Sequence, residues 1–380
     1  MKHNAEVFAV YDISSSSVAG AHVLFENNQT HFLASHRLLT PLQEDITMER
    51  FVTETISSLS QTTTHIRNND VHHPTFIQVT LASPWYSSQT RTISYTKKTP
   101  FVCTKKLVED LVRSEITHIL TKESGVFGAY GKESIIIEKQ LASFILNGYH
   151  TTDPYKKKTT TLEFSLTVTS APKDILTRFS EVLQRAYGAR DIRYTTSCWT
   201  THVVMRDRIK EEGSCMIVDI GEEISDVGIV KNGSFTSHHS FPVGTYGLYR
   251  ALSGRSRNTA RESMTHLESY RLGKLSQAAS KSVETAIHSY ATHWQSWFDQ
   301  VLETTTGVLP HTICITADSR FEQIFTTTVA QDPLVLSGSV ESPRVLFMKP
   351  SLILGVHTDQ SIDVPLLVAA QFAVHPVYYL

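Results

Sequence analysis

Two short stretches of this chain carry residue types that could do chemistry. YDISSSSVAG (Tyr11–Gly20) and VDIGEEISDVG (Val218–Gly228) each place an aspartate, Asp12 or Asp219, at the end of an apolar run and before a tight turn. That pattern suits phosphate and divalent-cation binding. Backbone N–H groups of such turns bind phosphate oxygens, while paired aspartates organise Mg2+ and its waters. Either stretch alone is an ordinary strand end; the signal is the pair, because each opens one half of the chain. The histidine pairs His72-His73 and His238-His239 suit a metal less well, since neighbours on a strand point to opposite faces. No G-x-S-x-G elbow or Cys/His pairing marks a nucleophile.

The elements that must position these turns follow from periodicity. Val7–Asp12, Val18–Glu26 and His31–Arg37 read as three strands, the last two joined at Asn27-Asn28. A helix over Ile46–Leu59 and a buried strand over Phe76–Leu81 follow. Pro84-Trp85-Tyr86 reads as hinge packing at the junction into a different composition. Beyond it come a strand at Gln89–Lys97, a helix capped by Thr104, and strands at Ser134–Gly148 and Thr160–Val168. That is a small α+β insert, expected beside the first domain. The Lys156–Lys158 tip of its loop reads as a solvated turn. A helix from Lys173 should end at Gly188 in a positive-φ residue. Cys215–Asp219 opens the second strand set, whose Asn232-Gly233 pair predicts a type I′ hairpin. Helices near Thr259–Lys274 and Ala278–Leu302, a strand at His311–Thr316 and a closing helix at Val364–Val374 complete the pattern.

Composition narrows the class. A chain of 380 residues, 41% apolar and 19% charged, exceeds one ordinary core and implies two domains with an insertion. A formal charge of -2 supplies no broad basic field, which argues against a nucleic-acid partner. The scattered cysteines Cys103, Cys198, Cys215 and Cys314 read as reduced, buried thiols of a cytoplasmic protein. MKHNAE runs straight into VFAVYD, leaving no room for a signal peptide. No apolar run approaches the roughly 20 residues of a membrane span, so no direct membrane insertion is expected.

In order and spacing the chain resembles the actin-like FtsA and PilM proteins over nearly its whole length. VFAVYDISSSSVAGAHV looks like the family's first phosphate loop, and Phe76 to Val168 like its inserted SHS2-type subdomain. LNGYHTTDPYKKKTTTLEFSLTVTSAPKDI is similar to the return strand and following helix. VDIGEEISDVGIVKNGSFTSHHSFPVGTYGL resembles the second phosphate loop, its hairpin and PVG turn, and HTICITADSRFEQIF stands where the adenosine loop would be. The resemblance implies an α/β, two-lobed actin-like (ribonuclease-H-like duplicated) fold with a small inserted α+β subdomain. Residues 1–83 and 171–206 would form the first lobe, 84–170 the insert, and 207–380 the second lobe, its last helix packing back on the first. It implies ATP and Mg2+, with Asp12, Ser14, Ser15, Ser16, Asp219, Gly221, Ser225, Thr316, Ala317 and Asp318 at the nucleotide and Asp12 and Asp219 toward the metal. It also implies a cytoplasmic scaffold at the inner face of the membrane, held there by the cytoplasmic tail of a pilus-assembly or division protein, and self-association into short filaments.

Departures from the family pattern fall on the loops. Ser14 stands for a glycine, Glu222-Glu223-Ile224 for small residues and threonine, and Ala317-Asp318 for a glycine pair. Each missing glycine removes a place where backbone approaches a ligand closely. Two carboxylates in a phosphate loop repel a triphosphate unless they turn away or bind metal; like charges at ~4 Å cost about 1 kcal/mol in water and several times more in a dry cleft. The expectation is an actin-type hairpin with an eroded phosphate grip, serving a scaffold rather than an enzyme. A working ATPase with nucleotide-dependent polymerisation and a nucleotide-free structural protein are the alternatives. The chain stops at HPVYYL with no amphipathic anchor after the closing helix, an expectation that favours the PilM-like role or an anchorless relative of the division proteins.

Overall fold

The computed structural model describes residues 5–40, 47–123, 133–188, 190–206, 213–256, 260–305, 307–338, 343–354 and 363–374. Each half of the chain builds one five-stranded sheet. In the first, β1 (Glu6–Ile13), β2 (Ser17–Glu26) and β3 (Gln29–Leu39) form an antiparallel meander; β4 (Phe76–Leu81) lies parallel to β1, and β9 (Asp191–Thr196) parallel to β4. The order is β3-β2-β1-β4-β9. The second sheet repeats it as β12-β11-β10-β13-β14, with β10 (Cys215–Ile220), β11 (Ser225–Lys231), β12 (Ser234–Phe241), β13 (Thr312–Thr316) and β14 (Arg344–Phe347). This repetition is the duplicated, two-lobed architecture of the actin-like fold.

Strand parity explains how each sheet is covered. Along β1, Ala9, Tyr11 and Ile13 pack toward α1 (Met48–Asn69) and α3 (Lys173–Tyr187). Phe8 and Val10 face the other way, against α11 (Val364–Ala373). Both faces are buried, so β1 is apolar without alternation. In β10, Met216, Val218 and Ile220 face α5 (Tyr246–Ser256) and α7 (Gln277–Thr304), while Cys215 and Ile217 face α4 (Ser197–Arg206). The lobes thus exchange helices. The segment 171–206, read from sequence as first-lobe, gives its last helix α4 to the second sheet, and α11 returns to the first. Side chains alternate along a strand, so Asp12 shares the α11 face and Asp219 the α4 face.

The insert holds β5 (Ser87–Val102), α2 (Lys105–Glu123), β6 (Ser134–Leu146), β7 (Tyr149–His150) and β8 (Lys158–Pro172), in the sheet order β5-β8-β6-β7 around Val108, Leu162, Phe164 and Leu166. Thr104 caps α2 through the Leu107 N–H (3.1 Å). The insert does not sit beside the first lobe alone. Its root also meets β12, where the Thr167 hydroxyl donates to the Phe235 carbonyl (3.3 Å). Glu138 ties β6 to β9 through the Thr196 N–H (2.6 Å) and hydroxyl (3.0 Å).

Boundaries shift where polar residues are buried. The first helix runs to Asn69 rather than Leu59, because Thr62, Thr63 and Ile66 continue its buried face. In α7 Tyr290, Trp294 and Phe298 are buried, while Trp297 is only partly covered. Unread in the sequence were α5, α8 (Glu322–Ala330), α9 (Pro333–Gly338) and α10 (Pro350–Leu354), whereas α6 (Ala260–Arg271) lies within the helix expected near Thr259–Lys274. Asn232 and Gly233 both have positive φ (52° and 75°), as a type I′ turn requires, and Gly188 ends α3 at φ 76°. All four cysteines are free and buried. Among the described residues no helix is long and apolar enough to cross a membrane.

Candidate functional site

The first loop spans Ser14 to Ser16, between β1 and β2. Three carbonyls fix its backbone: Ser17 accepts from the Ser14 N–H (2.9 Å), Ser16 from the Thr40 N–H (2.8 Å), and Ser14 from the Trp85 indole N–H (2.9 Å). Trp85 is fully buried. It packs tilted against Phe51 and edge-on against Phe179 and so carries the hinge position into the first loop. With the carbonyls engaged, the Ser16 N–H and the hydroxyls of Ser14 and Ser15 face the second lobe.

There they meet Glu222. Its Oε2 accepts from Ser14 Oγ (2.9 Å), from Ser16 N–H (3.1 Å) and, at the limit of a hydrogen bond, from Ser15 Oγ (3.5 Å). Ser15 Oγ in turn accepts the Glu223 N–H (2.9 Å). The second loop, Gly221 to Ile224, is clamped from behind by the PVG turn. Thr245 N–H donates to the Gly221 carbonyl (2.9 Å) and Tyr246 N–H to the Glu222 carbonyl (2.7 Å). A Cβ at Gly244 would lie 2.5 Å from the Glu222 carbonyl carbon, so only glycine permits this approach. Glu223 is buried and turned away into a two-armed pair with Arg250 of α5 (2.6 and 2.7 Å). The loop's two carboxylates therefore diverge: one into its own lobe, the other across the cleft into the first loop.

The aspartates differ in the same way. Asp12 accepts from Arg37 Nη2 (2.8 Å). Arg37 also donates to Ser17 Oγ (2.6 Å) and through Nε and Nη2 to Asp363, the N-cap of α11. Burial works against the Arg37 charge, but Asp363, Asp12 and Glu222 hold its pKa well above the ordinary value. Burial raises Asp12 to about 6, with Arg37 opposing and Asp363 and Glu222 assisting. Asp363 is held below its ordinary value by Arg37 and the Leu366 N–H, against its burial. Among the described residues Asp219 makes no salt bridge with a cation. Burial, with Asp226, Asp12 and Glu222 nearby, pushes it up to about 8.

These groups line a cleft of about 510 Å³ between the lobes. Asp12, Ser14, Asp219, Gly221, Thr316, Ala317 and Asp318 all reach it. Ser15 and Ser16 stand behind its wall, in contact with Glu222. Asp318 turns onto Arg320 and caps the short 3-10 turn Ser319–Phe321. Ser225 is elsewhere: it is wholly buried, donates to the Val243 carbonyl (2.7 Å) and accepts from the Trp294 indole (3.0 Å) inside the second lobe. Sequence reasoning missed Arg37, Asp363 and the Thr80, Thr200 and Thr201 wall. Among the described residues the buried hydroxyls of Thr80 and Thr316 have no hydrogen-bond partner, and both line the same cleft.

A Mg2+–triphosphate group does not fit this arrangement. The donors that would meet a phosphate already hold Glu222. One carboxylate that would order metal waters is bound to Arg37, and the other is buried among further carboxylates that, with its burial, push its pKa up to about 8. The cleft keeps the unsatisfied hydroxyls of Thr80 and Thr316.

The fold is similar to that of PilM in the solved PilM-PilN type IV pilus biogenesis complex. The likeness covers 96% of this chain and 97% of that one at 12% identity, with a TM-score of 0.62. Ethanolamine utilization protein EutJ from Carboxydothermus hydrogenoformans matches over 97% of this chain and 90% of its own at 9% identity (TM-score 0.49). A Bacteroides thetaiotaomicron protein with an actin-like ATPase fold matches over 93% and 96% at 10% identity (TM-score 0.39). No protein-family model and no curated protein matches the sequence.

Proposed function

We propose that this protein is an actin-fold scaffold of the PilM kind, which docks the cytoplasmic tail of a membrane protein of pilus assembly and does so without turning over ATP. The docking part rests on the full-length likeness to PilM, whose solved complex contains PilN. The nucleotide-free part rests on one observation: Glu222 occupies the donors of the first loop. A tail partner also gives such a scaffold its place at the inner face of the membrane. Self-association along the lobes would then be driven by the partner rather than by nucleotide.

A second reading, an ATP-dependent assembly switch, is favoured by the orphaned Thr80 and Thr316 hydroxyls and the volume beside them. The two readings separate in one experiment. The protein is titrated with a labelled peptide from the cytoplasmic tail of the PilN-type protein of the same cell, with and without ATP and Mg2+. The scaffold reading expects saturable binding that nucleotide leaves unchanged. No binding, or binding that requires ATP, overturns it.

A further inference from the structure

In each lobe the hairpin turn after the first strand should present donors to a shared anion, yet in this chain one turn supplies the anion. Ser14 Oγ and the Ser16 N–H, with Ser15 Oγ at longer range, converge on a single carboxylate oxygen. Three convergent donors of this kind form an anion-binding nest, and hydrogen bonds to a charged acceptor are about twice as strong as neutral ones. The occupant is held as firmly as the nest. Gly221 and Glu222 carbonyls are fixed by Thr245 and Tyr246, and Glu223 is anchored by Arg250. Where a metal would offset phosphate charge, the Arg37 guanidinium stands between Asp12 and Asp363.

We propose that the Ser14–Ser16 loop is an anion site whose resident ligand is the chain's own Glu222 carboxylate, and that a phosphate group binds there once that carboxylate is removed. In the intact protein the lobes are thus bridged at their phosphate loops by an internal ion, as a nucleotide would bridge them. This deepens the nucleotide-free part of the reading above and does not depend on the partner.

The test uses the full chain with inorganic phosphate, ADP and ATP as probes, each with and without Mg2+. Phosphate should leave the melting temperature of the wild type unchanged. Glu222→Ala should melt lower, and millimolar phosphate should restore most of the loss, because a ligand of the folded state stabilises in proportion to its saturation. Titration calorimetry should give at least about tenfold tighter phosphate binding to Glu222→Ala than to wild type, a difference of 1.4 kcal/mol. Adding Ser14→Ala and Ser15→Ala should abolish the rescue. Equal rescue by phosphate and nucleotides at matched concentration identifies a bare phosphate site; a larger effect of ADP or ATP assigns the phosphate to a nucleotide in the same nest. Should Glu222→Ala not fold, Glu222→Gln keeps the size and removes the charge, and the Ser16 amide should then exchange hydrogen faster than in wild type. Phosphate stabilising wild type and variant alike, no rescue of a folded Glu222→Ala, or unchanged exchange in Glu222→Gln would overturn the proposal. Tight ATP–Mg2+ binding by wild type would overturn both this site assignment and the nucleotide-free reading, whereas failure of the peptide to dock would leave the site assignment standing.

Discussion

Two rows of three residues occupy equivalent places in the two sheets. In the first lobe the row across β1, β2 and β3 is Asp12, Ala19 and Arg37; in the second, across β10, β11 and β12, it is Asp219, Asp226 and Ser240. The backbone is repeated, but the charge is not. Arg37 neutralises Asp12 and reaches Asp363 at the tip of α11. Asp219 faces a second carboxylate in its own row and the start of α4, where Ser197 stands. Asp226 in turn is satisfied from the first lobe, accepting from the Ser83 N–H (3.0 Å) and hydroxyl (2.6 Å). The turns beside the rows divide in the same sense, one donating hydroxyls and an N–H, the other sending a carboxylate. A duplicated site that would face a common ligand has here become two halves that bind each other.

Removing the cation should have the largest effect. Arg37→Met leaves the buried Asp12 and the partly exposed Asp363 beside one another without their shared cation, and breaking a buried pair costs about 4 kcal/mol. Urea unfolding should show this as a large drop in midpoint. A change below about 1 kcal/mol would mean that the first row is not organised by its arginine.

An effect of opposite sign is expected in the second row. The folded pKa of Asp219 lies at about 8, above the ordinary value of 3.8, so the fold favours its neutral form. That stabilisation is complete below 3.8 and is lost as pH rises through about 8. Asp219→Asn stays neutral throughout. Its stability relative to wild type should therefore grow steadily between those limits and then level off. A gap that does not vary with pH would mean that Asp219 is charged and compensated like its counterpart. Asp12 should titrate over a narrower window, ending near 6.

The smallest change concerns the turn itself. Ser225→Ala removes a hydroxyl that joins Val243 to Trp294, worth about 1 kcal/mol, and should leave any anion or nucleotide affinity unchanged. Loss of affinity without loss of stability would place Ser225 at the cleft after all.

Part of this was readable residue by residue. Asp12 and Asp219 declare themselves through local pattern, an apolar strand, an acid and a turn, because strand burial and turn chemistry depend on near neighbours. The position of Ser225 follows from parity as well: it pairs with Ile220, a core residue of the second lobe, rather than with Asp219. Its assignment to the nucleotide came from resemblance and ran against that parity. Arg37 was less accessible. Counting back from the Asn27-Asn28 turn, where Glu26 pairs with Gln29, sets Ala19 opposite His36; an irregularity between His22 and Val23 shifts the partner to Arg37. A slip of one residue turns every later side chain to the other face, and no local feature of the sequence announces it.

By itself, then, the sequence determined the repeated strand–turn–strand halves, the insert between them and the two acids at the strand ends, since each depends on short-range periodicity. It also disclosed that Glu222 and Glu223 are foreign to a phosphate loop. Only the tertiary structure decided what those charges do. Glu223 meets an arginine from its own lobe, and Glu222 meets serines more than 200 residues earlier in the chain. Whether a carboxylate repels a ligand or replaces it depends on which donors surround it. Those donors are assembled by the closure of two lobes and the exchange of α4 and α11, contacts that no local stretch of sequence encodes.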